Sequence, residues 1–376
     1  MVAHTRRIGG PWALLVGVAV IAWCCSPAAF AFELFSSGML TPETISPTPE
    51  GAYGGAFNNT YFIPDPGRVS ADPFGSTIWA VPMSGGAPSV FVSGATTPLS
   101  VSTVGGLFLP DTPYWGSHAG KYITVGYKWD PELRRSVGEI NVWEADGSYT
   151  VLYRAPGAPK TPILAPAGWG NVGGQIIVAD GGPNVYAVDP LGNVTPLVPN
   201  PIIPETARFG LAFAPEGWGA VGGQLLASRS STGQIFAVDE SGVETLFAVV
   251  PLAAGQMGLR QMAFCPAGFF PGLGELLFVS VSGSAHGGGT LGDVVVLDST
   301  GRVIARLRST LGLEKFDPRG LYFTEAGQLL ISDASDPIWL ATRADFDVSM
   351  IPEPCTLVLL GIGVAGAAIR RRRAAR

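Results

Sequence analysis

The chain is short of charge, histidine and cysteine, and each shortage removes a class of function. Only 14% of its 376 residues are charged, and the three histidines, His4, His118 and His286, lie too far apart for any metal spacing such as His-x-x-x-His. Of four cysteines, Cys24, Cys25, Cys265 and Cys355, only Cys265 falls between the two ends, so no disulfide can form within the middle of the chain. Its neighbours Met262, Ala263 and Phe264 mark Cys265 as a small buried hydrophobe rather than a nucleophile. There is no Gly-x-Ser-x-Gly elbow, no phosphate-cradling loop with a following Lys and no paired-cysteine motif, and Gly287-Gly288-Gly289 reads as a flexible loop. No long helical pattern occurs either. What is abundant is punctuation: 51 Gly and 32 Pro.

The charge that is present is unevenly placed. Between Phe32 and Ile351, Lys+Arg falls from 23 to 16 and Asp+Glu from 29 to 28, which leaves about −12 against −6 for the whole chain. An acidic body repels phosphate backbones, so nucleic acid is not an expected partner. The missing positive charges sit at the ends. Residues 1–31 have the layout of a secretory signal peptide: Arg6 and Arg7, an apolar core from Trp12 to Cys24, and Ala29-Phe30-Ala31 as the small-x-small pattern that signal peptidase cleaves. Cleavage would fall before Phe32. The apolar core is short for an uncleaved anchor, and Trp23 before Cys24 argues against a lipoprotein signal.

The other end reads Ile351-Pro352-Glu353-Pro354-Cys355-Thr356-Leu357, runs apolar to Ile369 and closes on Arg370-Arg371-Arg372-Arg373. Pro-Glu-Pro keeps the backbone extended and accessible. The apolar run, about 15 residues, would cover roughly 22 Å as a helix, short of the ~30 Å hydrocarbon core. The arginines would hold its far end on the cytoplasmic side. Motif, apolar run and arginine cluster in this order resemble the PEP-CTERM sorting domain of Gram-negative bacteria, with the sorting motif on Pro352, Glu353 and Pro354 and on Arg370, Arg371, Arg372 and Arg373. Cys355 departs from the family, which usually has Ser or another small residue there. The resemblance implies export, passage to exosortase, a membrane-embedded cysteine transpeptidase, and a place in exopolysaccharide-rich biofilm.

The middle repeats. Segments from Leu164 to Asp180, Phe213 to Arg229 and Phe264 to Ser280 align without gaps, with aromatic markers Trp169, Trp218 and Phe269 spaced 49 and 51 apart. Each is followed by a half-buried strand ending in Asp-x-x-Gly, at Asp189 to Gly192, Asp239 to Gly242 and Asp298 to Gly301, and then by one more strand. Weaker copies precede and follow, giving six units of about four short strands. The last unit lacks a fourth strand, whereas Phe32 to Gly38 resembles Ser89 to Gly94, so the first strand of the mature chain would complete the last blade and leave no open edge. The expected fold is all-β, a closed six-bladed propeller over 32–346, with blades near 40–92, 99–154, 161–198, 208–249, 258–308 and 319–346 plus 32–38. It is flanked by the signal peptide 1–31 and by the sorting signal 347–376 with its short membrane helix. The pattern is similar to the NHL-repeat and gluconolactonase or regucalcin-like propellers.

One repeat position, closing the second strand of each unit, carries Asp65, Gly126, Asp180, Arg229, Ser280 and Asp333. Asp65, Asp180 and Asp333 could line a channel mouth and hold Ca2+ or a sugar, or could cap the following turns through their own side chains. Trp115, Trp129 and Trp143, beside the longest insertion, could be exposed and stack on sugar rings, or could be core packing, which explains most tryptophans in blades equally well. The leading functional expectation is an exported, surface-sorted, non-catalytic propeller, a binding or structural component of the extracellular matrix. Its partners would be signal peptidase, exosortase, the membrane through its tail before processing, and a glycan or matrix protein. The competing class is a metal-dependent lactonase-like or sugar-processing hydrolase on the same propeller.

Overall fold

The structure, a computed structural model, describes residues 33–67, 75–97, 99–155, 157–198, 207–283, 290–307, 315–334 and 336–347. The leader with Ala29 and Ala31, the whole tail from Pro352 to Arg373, and His286 lie outside the described residues.

Alternating apolar residues broken every few positions by Gly, Pro or Asp dictate short strands and tight turns, and that is what forms. Each of the first five blades is an antiparallel meander of four strands. Blade one holds β2 (Ser46–Pro47), β3 (Thr60–Asp65), β4 (Thr77–Pro82) and β5 (Ser89–Ser93); blade two holds β6 (Ser102–Phe108), β7 (Tyr122–Asp130), β8 (Arg135–Trp143) and β9 (Tyr149–Ala155). Blade three holds β10 (Lys160–Leu164), β11 (Ile176–Ala179), β12 (Val185–Val188) and β13 (Val194–Pro196); blade four holds β14 (Arg208–Phe213), β15 (Leu225–Arg229), β16 (Gln234–Val238) and β17 (Glu244–Val249). Blade five holds β18 (Gly258–Phe264), β19 (Leu277–Ser282), β20 (Asp293–Leu297) and β21 (Val303–Leu307). Blade six has three strands of its own, β22 (Pro318–Phe323), β23 (Leu329–Asp333) and β24 (Ile338–Ala341), and its fourth is β1 (Glu33–Ser36) from the other end of the chain.

Pairing of β1 with β24, Glu33 opposite Leu340 and Leu34 opposite Trp339, closes the ring as the sequence pattern implies. Asp336 reinforces the closure, its Oδ1 accepting the Gly38 and Met39 N–H groups at 2.7 and 3.0 Å. One strand was not expected. After β24 the chain crosses to the outer edge of blade five, where β25 (Phe346–Asp347) pairs with β21, and Phe346 is buried against Phe270 and Phe278.

Hairpins inside the blades follow the Asp-x-x-Gly signal. Asp189 Oδ1 accepts from the Leu191 and Asn193 N–H groups, both at 2.9 Å, and Gly192 at φ 78° completes the turn in a conformation open to glycine. Asp239 and Asp298 repeat the arrangement.

Between blades the seal is aromatic. Trp169 packs edge-on against Phe213 with centroids 5.0 Å apart, Trp218 against Phe264 at 4.7 Å, Phe269 against Phe323 at 5.2 Å and Tyr53 against Phe108 at 6.1 Å. In each pair the first ring sits in the loop after one blade's innermost strand, and the second ends the innermost strand of the next blade. The repeat marker is therefore a wedge that sets the angle between neighbours. Trp115 takes the same place in blade two and, like Trp143, is buried. Of the two readings, sugar stacking and core packing, these two follow the second and face apolar clusters; of the three only Trp129, 55% exposed on the long β7–β8 hairpin, reaches solvent.

Candidate functional site

Each innermost strand is interrupted near its start. The register slips between Thr103 and Gly105, Lys160 and Ile163, Arg208 and Leu211, Leu259 and Met262, and Pro318 and Leu321, in the innermost strands of five blades. A bulge frees a residue from the ladder and re-aims its side chain. The residue four before the last of each innermost strand is Glu43, Val104, Lys160, Phe209, Arg260 or Arg319, one per blade. All six line a single axial cavity of about 330 Å³. Close approach of the blades at the axis depends on glycine: a Cβ on Gly210 would collide with the Arg260 carbonyl oxygen, and one on Gly320 with that of Glu43.

The charges on this ring are held apart from one another. Lys160 Nζ lies 3.7 Å from the centroid of Tyr127 and 5.2 Å from that of Phe209, and the Arg260 guanidinium carbon lies 4.4 Å from the same Phe209 centroid. Among the described residues, no carboxylate lies within ion-pair distance of Lys160 or Arg260. Arg260 Nε and Arg319 Nε are buried without a hydrogen-bond partner. Arg319 is answered on one side, its Nη2 donating to Asp317 Oδ2 at 2.7 Å, while Asp317 Oδ1 accepts from Ser282 Oγ and Gly283 N.

Burial shapes the protonation of these groups. It lowers the Lys160 pKa and, with the nearby charge of Arg319, brings Arg260 down to about 10. Burial also raises the Glu43 carboxyl against the pull of Arg319, Arg260 and Lys160. For Arg319 burial works against the charge, but Glu43 and Asp317 outweigh it and the pKa is raised.

The three aspartates marked as candidate ligands do not join this ring. Asp65 Oδ1 accepts from Thr41 N, Thr41 Oγ1 and Gly67 N at 2.8–3.0 Å, and its Oδ2 from Leu40 N and Trp79 Nε1. Asp333 Oδ1 accepts from Asp317 N and its Oδ2 from Trp339 Nε1, both near 3 Å. Asp180 accepts from Gly182 N, Asn184 N and Asn184 Nδ2. Each carboxylate holds a strand end or turn. Among the described residues no group of three His, Cys, Asp or Glu side chains is placed to hold a metal ion, and an axial ring with three cations and one carboxylate does not suit Ca2+. Of the other equivalent positions, Ser280 Oγ bridges to Arg319 O at 3.0 Å, and Arg229 is buried with Arg208 around Glu244. Cys265 is buried, and burial pushes its thiol up to about 11.

Residues 351–373 match the PEP-CTERM protein-sorting motif, which implies export and handling by exosortase. No curated protein matches the chain in sequence. Among solved structures the fold is similar to a soluble aldose sugar dehydrogenase from Escherichia coli, at 12% identity and a TM-score of 0.53 over 83% of this chain and 99% of that one. It is also similar to a calcium-binding regucalcin from Agrobacterium tumefaciens, at 14% identity and 0.51 over 82% and 95%, and to a gluconolactonase from Xanthomonas campestris, at 17% identity and 0.50 over 83% and 89%. At these identities the likeness is one of fold, the six-bladed propeller. Among the described residues no helix is long and apolar enough to cross a membrane.

Proposed function

We propose that this protein is an exported propeller, freed from its leader by signal peptidase after Ala31 and sorted to the cell surface by exosortase. There it would serve as a non-catalytic binding component of the extracellular matrix, with the axial cavity as its ligand site. The observation that carries the reading is the sorting motif at 351–373, joined to a propeller whose axis presents three cations, of which Lys160 and Arg260 have no carboxylate within ion-pair distance among the described residues. The competing reading, a metal-dependent lactonase-like hydrolase, draws its ligands from Asp65, Asp180 and Asp333, and the N–H donors around all three favour the binding role.

Mass spectrometry of the mature ends, from cells with and without exosortase, tests the delivery. The expected outcome is an N-terminus at Phe32 in both strains, and loss of Arg370 to Arg373 only where exosortase is present. Identical C-termini in the two strains would overturn the sorting step.

A further inference from the structure

The body of the chain is acidic, yet its axis is basic. Lys160, Arg260 and Arg319 share the cavity wall with one carboxylate, Glu43. Cations in a low-dielectric wall are costly unless something answers them. Asp317 answers Arg319, whereas among the described residues Arg260 meets the Phe209 ring and no carboxylate at ion-pair distance, and its Nε is sealed from water without an acceptor. Glu43 stands on the same ring outside ion-pair distance of all three cations, so the charges face each other across open cavity rather than closing on one another. A fold with no use for this charge would place apolar side chains here, as the same repeat position does with Val104 in blade two.

We propose that the axial cavity binds a small organic monocarboxylate, up to a sugar acid in size, with the carboxylate seated between Arg260 and Lys160. Three features of the cavity select this class. After Asp317 is matched to Arg319 and Glu43 is counted, about one positive charge is left without a protein counterpart, which a monoanion balances and a dianion such as phosphate exceeds. The guanidinium fork of Arg260, seated over Phe209 with Cζ 4.4 Å from the ring centroid, carries the parallel N–H donors that a planar carboxylate accepts. A volume of about 330 Å³, at the small end of ligand sites, with Thr161 and Gln261 beside the cations, suits a ligand of monosaccharide size rather than a polymer segment. This inference rests on reading the propeller as a ligand-binding module.

The test is isothermal titration of the full chain, purified in mild detergent, with D-glucuronate, with D-glucose as the same ring lacking the carboxylate, and with inorganic phosphate. Glucuronate is expected to bind at least about tenfold more tightly than glucose or phosphate, and to weaken as salt is raised. Arg260→Gln and Lys160→Gln should each lower glucuronate affinity about tenfold or more. Thermal unfolding without ligand separates this role from a structural one: deleting an unanswered buried cation should raise the Arg260→Gln midpoint, whereas a framework arginine would lower it. Glucose or phosphate binding as tightly as glucuronate, or unchanged glucuronate affinity in both variants, would overturn the site. Proton NMR of the bound mixture distinguishes the premise: conversion of glucuronate would sink the non-catalytic reading, while a sorted, folded chain that binds none of the three probes sinks the carboxylate site alone.

Discussion

Glu244 lies between two guanidinium groups that water does not reach. Arg208 Nη2 approaches its Oε1 at 2.5 Å and Arg229 Nη2 its Oε2 at 3.3 Å, with the side chains of both arginines fully buried. Burial and the charge of Arg208 press the Arg229 pKa down, and Glu244 is what opposes them. Glu244→Gln keeps the shape and removes the counter-charge, so it should cost about 3–5 kcal/mol, read as a lower urea midpoint with an unchanged slope. A shift under about 1 kcal/mol would mean that other groups carry the cluster. The sequence exposed local side-chain roles at this scale and hid distant ones. Asp189, Asp239 and Asp298 announce their turns because the N–H groups they bind are two to four residues away. Arg208 and Glu244 meet across 36 positions, and nothing in their neighbourhoods signals it. The same distance effect left Trp115 and Trp143 open between surface and core: an aromatic beside an insertion fits either until the neighbouring blade covers it.

Strands and their spacing were readable because a repeated unit displays its own alignment; the bulges in the innermost strands were not. Comparing the unit at the end of the second strand picks out Asp65, Asp180 and Asp333, which the backbone uses. The signal for the cavity was four residues before the last residue of the first strand, where Glu43, Val104, Lys160, Phe209, Arg260 and Arg319 share little but their place. An alternation rule assigns these side chains to a blade face, and only the register slip turns them to the axis. The wedges give this scale its prediction. Trp218 Nε1 donates to Glu275 O on the next blade at 2.9 Å, whereas the buried Nε1 of Trp169 has no partner among the described residues. Trp218→Phe should therefore cost about 1 kcal/mol or more beyond Trp169→Phe, since the first breaks a hydrogen bond and the second removes an unsatisfied donor. Equal melting shifts for the two variants would show that ring packing alone governs the wedge.

A ring of blades holds its shape only while its ends stay together. Here the joint is a four-residue strand against β24, one bulge between Leu34 and Ser36, and the Asp336 clasp on Gly38 and Met39. Blade six has no wedge loop, because the turn from Thr324 to Gln328 is tight, so the last junction leans on Tyr61 against Tyr322 at 5.4 Å and on Ser332 Oγ bonded to Glu43 O. That bond joins the closure to the axial ring, since Glu43 is one of its six residues. The need for closure was visible in the missing fourth strand, but β25 was not, because two paired residues leave no periodic trace. Replacing residues 33–36 by Gly-Ser-Gly-Ser would leave β24 as an open edge beside a loosened Glu43. The expected results are a melting midpoint lower by about 5 °C or more, and concentration-dependent association on gel filtration as β24 recruits a strand from another copy. A variant that melts with the parent and stays monomeric would show that β22, β23 and β24 hold blade six without the first strand.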